Sequence, residues 1–220
     1  MIGAAVCYQA FLVLSTPPNT WDSLAYHLAR AAEWYQRGAV EYYPTHSASV
    51  NATQPNAEML ILYTFGFVGR DTVAAAPQLL AELAALVAVY GVAIRLGFSR
   101  APAAFAALLT GTLSQVFLQS VATQNDLLVA SFLATALYFV LGRVTPELAL
   151  AGLALGLAVG TKANAVLGVP LLLLAAVLVH NRKHVLRAVG FACAGLCLRG
   201  HTATRSTSFI QVDLSATRTR

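Results

Sequence analysis

Few residues in this chain are equipped for chemistry, and they are unevenly spread. Asp22, His27, Glu33, His46 and Glu58 fall in one polar stretch, Pro17 to Glu58, while Asp126 and Lys162 stand at the ends of apolar runs far downstream. A carboxylate in such a set can take the proton of a hydroxyl as that hydroxyl attacks an electrophilic carbon. A lysine ammonium can neutralise an anion, such as a phosphate that gathers charge as it leaves. Of these residues, Glu33 and His46 are assigned no chemical role.

The elements that must position these groups are apolar. The chain has 220 residues, 58% of them hydrophobic and only 10% charged, with a mean hydropathy of +0.67. A soluble domain with so few charges would expose large apolar patches, so composition points to a polytopic membrane protein. The net charge of +5 does not indicate nucleic acid, because the basic residues fall in short connections where the positive-inside rule places them. Cys7, Cys193 and Cys197 lie in apolar segments without metal-ligand spacing and are read as packing residues.

The predicted fold is all-α, a polytopic transmembrane helix bundle with an amphipathic-helix-containing first outer loop. Residues 1–16 form the first helix, followed by the outer loop with juxtamembrane helices over 17–72. Further helices are expected at about 73–95, 102–121, 127–142, 147–161 and 164–180, with a partial one at 186–198. The first helix is short for a span, and a longer one beginning before residue 1 is expected. Within the loop, Leu24, Leu28, Ala31 and Tyr35 recur at helical spacing, opposite a polar stripe of Asp22, Tyr26, Arg30, Glu33 and Arg37. Gly38 is placed to close that helix. The aromatic residues Trp21, Trp34, Tyr35, Tyr42 and Tyr43 suit the membrane interface. The apolar run 57–68 is too short to span and is read as juxtamembrane.

With the loop outside, the connections that carry Arg95 and Arg100, Arg143, and Arg182, Lys183 and Arg187 are cytoplasmic. Asp22, Glu58, Asp126 and Lys162 then share the outer face. Gln78 with Glu82, and the Gln115, Gln119, Thr123 repeat leading toward Asp126, place polar groups inside apolar helices. Such groups face a bundle interior or a wet cavity because lipid exposure is costly. Gly152, Gly156 and Gly160 form a small-residue face for close helix packing.

The run WDSLAYHLARAAEWYQRGAVEYYPT, followed by QPNAE, resembles the first outer loop of GT-C glycosyltransferases that use polyprenyl-phosphate sugars. TQNDLLVASFL and GLALGLAVGTKANAVLGVPLLLL resemble the fourth to sixth helices of the same group, which includes protein O-mannosyltransferases and lipid A aminoarabinose transferases. The resemblance covers roughly residues 15–185. It implies inverting transfer of a sugar from a polyprenyl-phosphate donor to an acceptor lipid, glycan or protein. It further implies a multi-pass protein of a bacterial-type plasma membrane, with a site facing the periplasm or exterior. Its partners would be that donor, that acceptor and the bilayer, with no nucleic acid; no cofactor is implied by it, and a divalent metal is left open.

By position, Asp22 matches the family's loop acid, which acts as base toward the acceptor or positions it, and Asp126 matches its second acid. Lys162 is suited to the lipid phosphate, His27 and Arg30 resemble loop residues of the family, and Glu58 can substitute for an acid absent nearby. Read from position alone, Asp22 and Glu58 could favour helix dipoles, Asn125 or Asp126 could cap a helix, and Lys162 could snorkel. His27 and Arg30 could equally solvate a helix face. Two departures stand in the loop: Thr53-Gln54-Pro55 replaces an acid and a base carried by some relatives, and Asn56 stands where a second proline often follows.

From Arg199 onward apolar character collapses and Ser and Thr accumulate. We expect 199–220 to be a disordered tail foreign to the fold, in a chain truncated or frame-disrupted at its C-terminus. The alternatives to an active transferase are therefore an inactive fragment of such an enzyme and a membrane transporter. Against the transporter stand the absence of an internal repeat and the long polar loop.

Overall fold

The computed structural model describes residues 2–46, 48–69, 71–142, 144–179 and 182–205. Among these residues every regular element is helical. Helix α1 (Ile2–Ser15) leads into the polar loop, which holds α2 (Leu28–Arg37), α3 (Ala48–Ala52) and α4 (Asn56–Val68). The bundle continues as α5 (Ala76–Arg95), α6 (Arg100–Gly111), α7 (Ser114–Ser120), α8 (Asp126–Val140), α9 (Thr145–Thr161), α10 (Gly168–Val179) and α11 (Arg182–Arg205).

The distribution of side chains is that of a helical membrane bundle. On α5, Leu80 and Val87 are 65% and 71% exposed, whereas Gln78 and Glu82 are 1% and 2% exposed. Leucines and valines likewise cover the outside of α6, α9 and α10. In water this arrangement would be unfavourable; in lipid it places apolar surface outward and joins the polar groups to one another. Glu82 accepts a hydrogen bond from Gln9 Nε2 at 2.7 Å, and the same amide donates to Ser120 Oγ at 2.8 Å. That cluster ties α1 to α5 and α7. Asp71–Arg95 is long and apolar enough to cross a bilayer, and α6 with α7 reaches that length only as a pair bent by 65°.

The bend corrects the single helix expected over 102–121. Thr110 and Thr112 hydroxyls donate to the carbonyls of Ala106 and Leu109, and Gly111 between them is a poor helix former. The expected Gln115, Gln119, Thr123 stripe is interrupted in consequence. Gln115 is exposed, Thr123 lies beyond the end of α7, and Ser120 is the residue of this segment that turns inward.

The core of the bundle is built on alanine and glycine. Ala136, Ala151, Ala154, Ala158, Ala176 and Ala188 are buried among Leu148, Leu155 and Leu172 where α8, α9, α10 and α11 meet. A Cβ added at Gly156 would come within 2.5 Å of the Gly195 carbonyl oxygen, and one at Gly152 would collide with the Phe191 carbonyl. These two glycines let α9 and α11 approach backbone to backbone. Gly160 does something else: its missing Cβ makes room for the Asn56 side-chain amide. A narrow apolar cavity lined by Val140, Leu155, Leu172 and Ala192 lies in this core and holds none of the charged candidates.

Charge separates the two ends of the bundle. Arg95 donates to the Tyr138 carbonyl at 2.7 Å and pairs with Glu147, and Arg187 donates to Thr145 Oγ1 at 3.1 Å. Asp126 and Lys162 occupy the other ends of α8 and α9. Arg143 lies outside the described residues. Helix α11 continues past the stop expected near Leu198 to Arg205, so the first residues of the expected irregular tail are helical; 206–220 lie outside the described residues.

Candidate functional site

The loop helix expected over 21–37 forms with a change of pitch. Ser23–His27 is a π-helical turn, and regular α-helix starts at Leu28. The wider turn rotates everything before Leu28 out of phase with the rest of the helix. Leu24, expected on the buried face, is therefore 60% exposed; Arg30, expected on the polar face, lies beyond the turn and is 3% exposed. At the far end Gly38 takes the left-handed conformation (φ 67°) and its N–H bonds the Trp34 carbonyl, the closure its position indicated. Ala31, Ile61 and Phe65 then pack α2 on α4.

Arg30 is held in the loop by its own neighbours. Nη1 donates to the Thr53 carbonyl at 2.8 Å and to Thr53 Oγ1 at 3.2 Å, and the guanidinium lies 4.7 Å from the Trp34 ring centroid. Burial lowers its pKa, and the charge of Glu58 opposes that shift. His27 Nδ1 lies 2.8 Å from Glu58 Oε1, with both side chains at most 1% exposed. The second carboxylate oxygen of Glu58 is buried without a protein partner, as is Nε of Arg30. Three residues expected to contact substrate or phosphate are thus packed inside the loop, where they join α2 to the start of α4.

Asp22 immediately precedes the π-helical turn and makes no side-chain cap bond. Its carboxylate acts on the Tyr26 phenol, one turn further along the chain. The Tyr26 phenol is pushed up to about 12, first by burial, then by the charges of Asp22, Glu58 and Asp126, and by the bond to Asp22. Three carboxylates from separate parts of the chain thus oppose the ionisation of one phenol. Thr20 and Ser23 share a 2.5 Å hydrogen bond, and the backbone N–H of Thr123 donates to Ser23 Oγ at 3.1 Å. This bond brings the segment ahead of Asp126 onto the residue next to Asp22.

Lys162 completes the arrangement. Its Nζ is 2.6 Å from Asp126 Oδ1, with the two side chains 37% and 45% exposed. It stands where α9 ends: its backbone is extended (φ −152°, ψ 125°), and a 3₁₀ turn over Ala163–Leu167 precedes α10. Irregular backbone at membrane depth needs polar partners. Gln54 Oε1 accepts from the Ala163 N–H at 2.9 Å, Asn125 Nδ2 donates to the Thr161 carbonyl at 3.4 Å, and Asn56 Nδ2 reaches the Leu157 carbonyl at 3.5 Å. Asn125 makes no cap bond at the start of α8.

Sequence reasoning named the six charged groups but gave no role in holding them to Ser23, Tyr26, Gln54, Asn56, Thr123 and Asn125. The signal available for two of them was departure from the family pattern, since Gln54 and Asn56 stand where relatives carry other residues. Among the described residues no three His, Cys, Asp or Glu side chains converge as metal ligands.

A family model described as dolichyl-phosphate-mannose-protein mannosyltransferase matches residues 59–200. The matched stretch includes Asp126 and Lys162 and begins one residue after Glu58. No curated protein and no solved structure matches the chain.

Proposed function

The chain belongs to the dolichyl-phosphate-mannose-protein mannosyltransferase family, membrane glycosyltransferases, and from that premise we propose that it transfers a sugar from a polyprenyl-phosphate donor to an acceptor hydroxyl at the outer face of the membrane. The observation that carries this reading is the Asp126–Lys162 pair at two helix ends, joined to the loop beside Asp22 by the bond from the Thr123 N–H to Ser23 Oγ. Asp22 is the base. The acceptor oxygen attacks the anomeric carbon, its proton passes to the Asp22 carboxylate, and the bond from that carbon to the phosphate oxygen breaks on the opposite face. The electron pair leaves with the phosphate, so configuration inverts.

Lys162 is the cation that faces the phosphate as its charge grows, an interaction stronger in the transition state than in the bound donor. Asp126 is the second acid of the site and sits beside that cation. Arg30, His27 and Glu58 brace the loop that presents Asp22, a reading supported by their burial against one another. The break between α9 and α10 leaves Lys162 on extended backbone at the rim of the bundle, where a lipid phosphate at headgroup level can reach it.

The test is transfer by membranes that contain the full chain, assayed with a panel of polyprenyl-phosphate sugars. Wild type is expected to transfer from at least one donor, and Asp22→Asn, correctly inserted, to lose about 100-fold or more of that rate. Transfer undiminished in Asp22→Asn would remove Asp22 as base. Absence of transfer from every donor by the inserted wild-type chain would remove the transferase reading itself.

A further inference from the structure

We propose that Asp126 is the exchange partner that releases the used lipid phosphate from Lys162, so that this subsite works by replacement of one counter-ion with another. The inference rests on the reading of Lys162 as the cation that faces the donor phosphate. A lysine committed to a permanent structural pair would be buried with its ammonium donors satisfied. Lys162 instead has one described polar partner, Asp126 Oδ1 at 2.6 Å, and more than a third of its side chain is exposed. An ammonium has three donors and a flexible stem, so it can turn from one anion to another without moving the main chain.

The main chain is held separately. Asn125 grips the Thr161 carbonyl and Gln54 the Ala163 N–H, one on each side of Lys162. Asp126 is fixed at the first residue of α8 by its place in that helix. The two backbones therefore stay in place while the ammonium exchanges partners.

The charge change in the reaction makes such a device necessary. The donor is a phosphodiester with one negative charge. When the sugar leaves, the phosphate keeps the electron pair and becomes a monoester, carrying about −1.5 to −2 at pH 7. A lone lysine would thus hold the product more tightly than the donor and slow every turnover. A carboxylate fixed within hydrogen-bond distance of that lysine weakens both complexes. It opposes the doubly charged product more, because its own charge repels that product more strongly.

The experiment is equilibrium binding of two probes to the full chain in lipid nanodiscs: a C15 isoprenyl monophosphate and its methyl diester. Asp126→Asn is expected to bind the monoester about fivefold more tightly and the diester about twofold more tightly than wild type, the scale of a partly exposed ion pair. Lys162→Met is expected to bind both more weakly, with the monoester losing more than the diester. Asp126→Ala repeats the measurement if the asparagine variant does not insert. Equal or weaker monoester binding by the Asp126 variants overturns the exchange, as does undiminished binding by Lys162→Met. No sugar moves in this assay. A chain that transfers from no donor yet shows this ranking loses the transferase reading and keeps the exchange. A transferring chain whose Asp126 variants gain no affinity loses the exchange and keeps the transferase reading.

Discussion

The bundle carries an interhelical ion pair at each end, and the two are built differently. Arg95 reaches the Tyr138 carbonyl and Glu147 and lies 3.7 Å over the Tyr138 ring, with both charged side chains about four-fifths buried. Glu147 in turn accepts from the Val144 N–H at 3.3 Å, and any side chain at Gly142 would collide with both members of the pair. Lys162 and Asp126 have the same formal charges and a 2.6 Å contact, yet both are only partly buried. Guanidinium geometry fixes several partners at once, whereas an ammonium exchanges them. On the proposed reading, the contrast separates a clamp from an exchangeable site: at one end the charges close a junction of helices, at the other they are left to meet an incoming anion.

Lys162→Met should show the largest effect. Transfer efficiency is expected to fall about 100-fold or more, with thermal stability nearly unchanged because an exposed pair contributes at most about 1 kcal/mol. Steady-state kinetics and thermal unfolding of one preparation would show this; a matching collapse in stability would make Lys162 a clamp like Arg95. The reverse pattern is expected for Arg95→Met. Removing one partner of a mostly buried pair should cost about 2 kcal/mol of stability, while the folded protein keeps its donor KM. A raised donor KM without loss of stability would erase the distinction between the ends.

Asn125→Ala sharpens the comparison within the site end. It removes the side-chain bond to the Thr161 carbonyl, a loss of about 1 kcal/mol, and loosens the backbone under Lys162. Transfer is expected to fall about fivefold, the equivalent of that loss, with the donor KM rising and the pH profile unchanged. An Asn125→Ala enzyme with wild-type kinetics would show that Lys162 needs no such support.

The helices were more legible in the sequence than the breaks between them, and the reason is physical. Apolar runs identify helices wherever lipid or core faces them, so α5, α8, α9 and α10 fall close to their expected ranges. Gly38 was legible because a left-handed helix end favours glycine. The Thr110-Gly111-Thr112 signal for the bend was present, but it was outweighed by the leucines around it. The π-helical turn at Ser23–His27 left no such trace, and so the exposure of Leu24 was not foreseen. Gln54 and Asn125 bond to backbone groups that become available because α9 ends at Thr161, and the Asn56 amide reaches the Leu157 carbonyl in the room left by Gly160. Until that break is known, these three residues read as ordinary loop polarity.

Tyr26→Phe gives the smallest effect and the most specific one. The phenol lies above its ordinary value near 10, at about 12, because burial and three carboxylates oppose its ionisation. A folded-state value above the unfolded one means that the folded protein retains a proton that the unfolded chain releases. The stability linked to Tyr26 is therefore fully present below about pH 10 and is lost as pH rises toward 12. Wild type should lose thermal stability more steeply than Tyr26→Phe over that window, and a difference absorbance titration should assign the late-ionising phenolate to Tyr26. At neutral pH the variant should lose about 1 kcal/mol or less, the worth of one hydrogen bond to a partly exposed carboxylate. Identical alkaline slopes in the two proteins would separate Tyr26 from the carboxylates and leave the contrast between the ends to Lys162 alone.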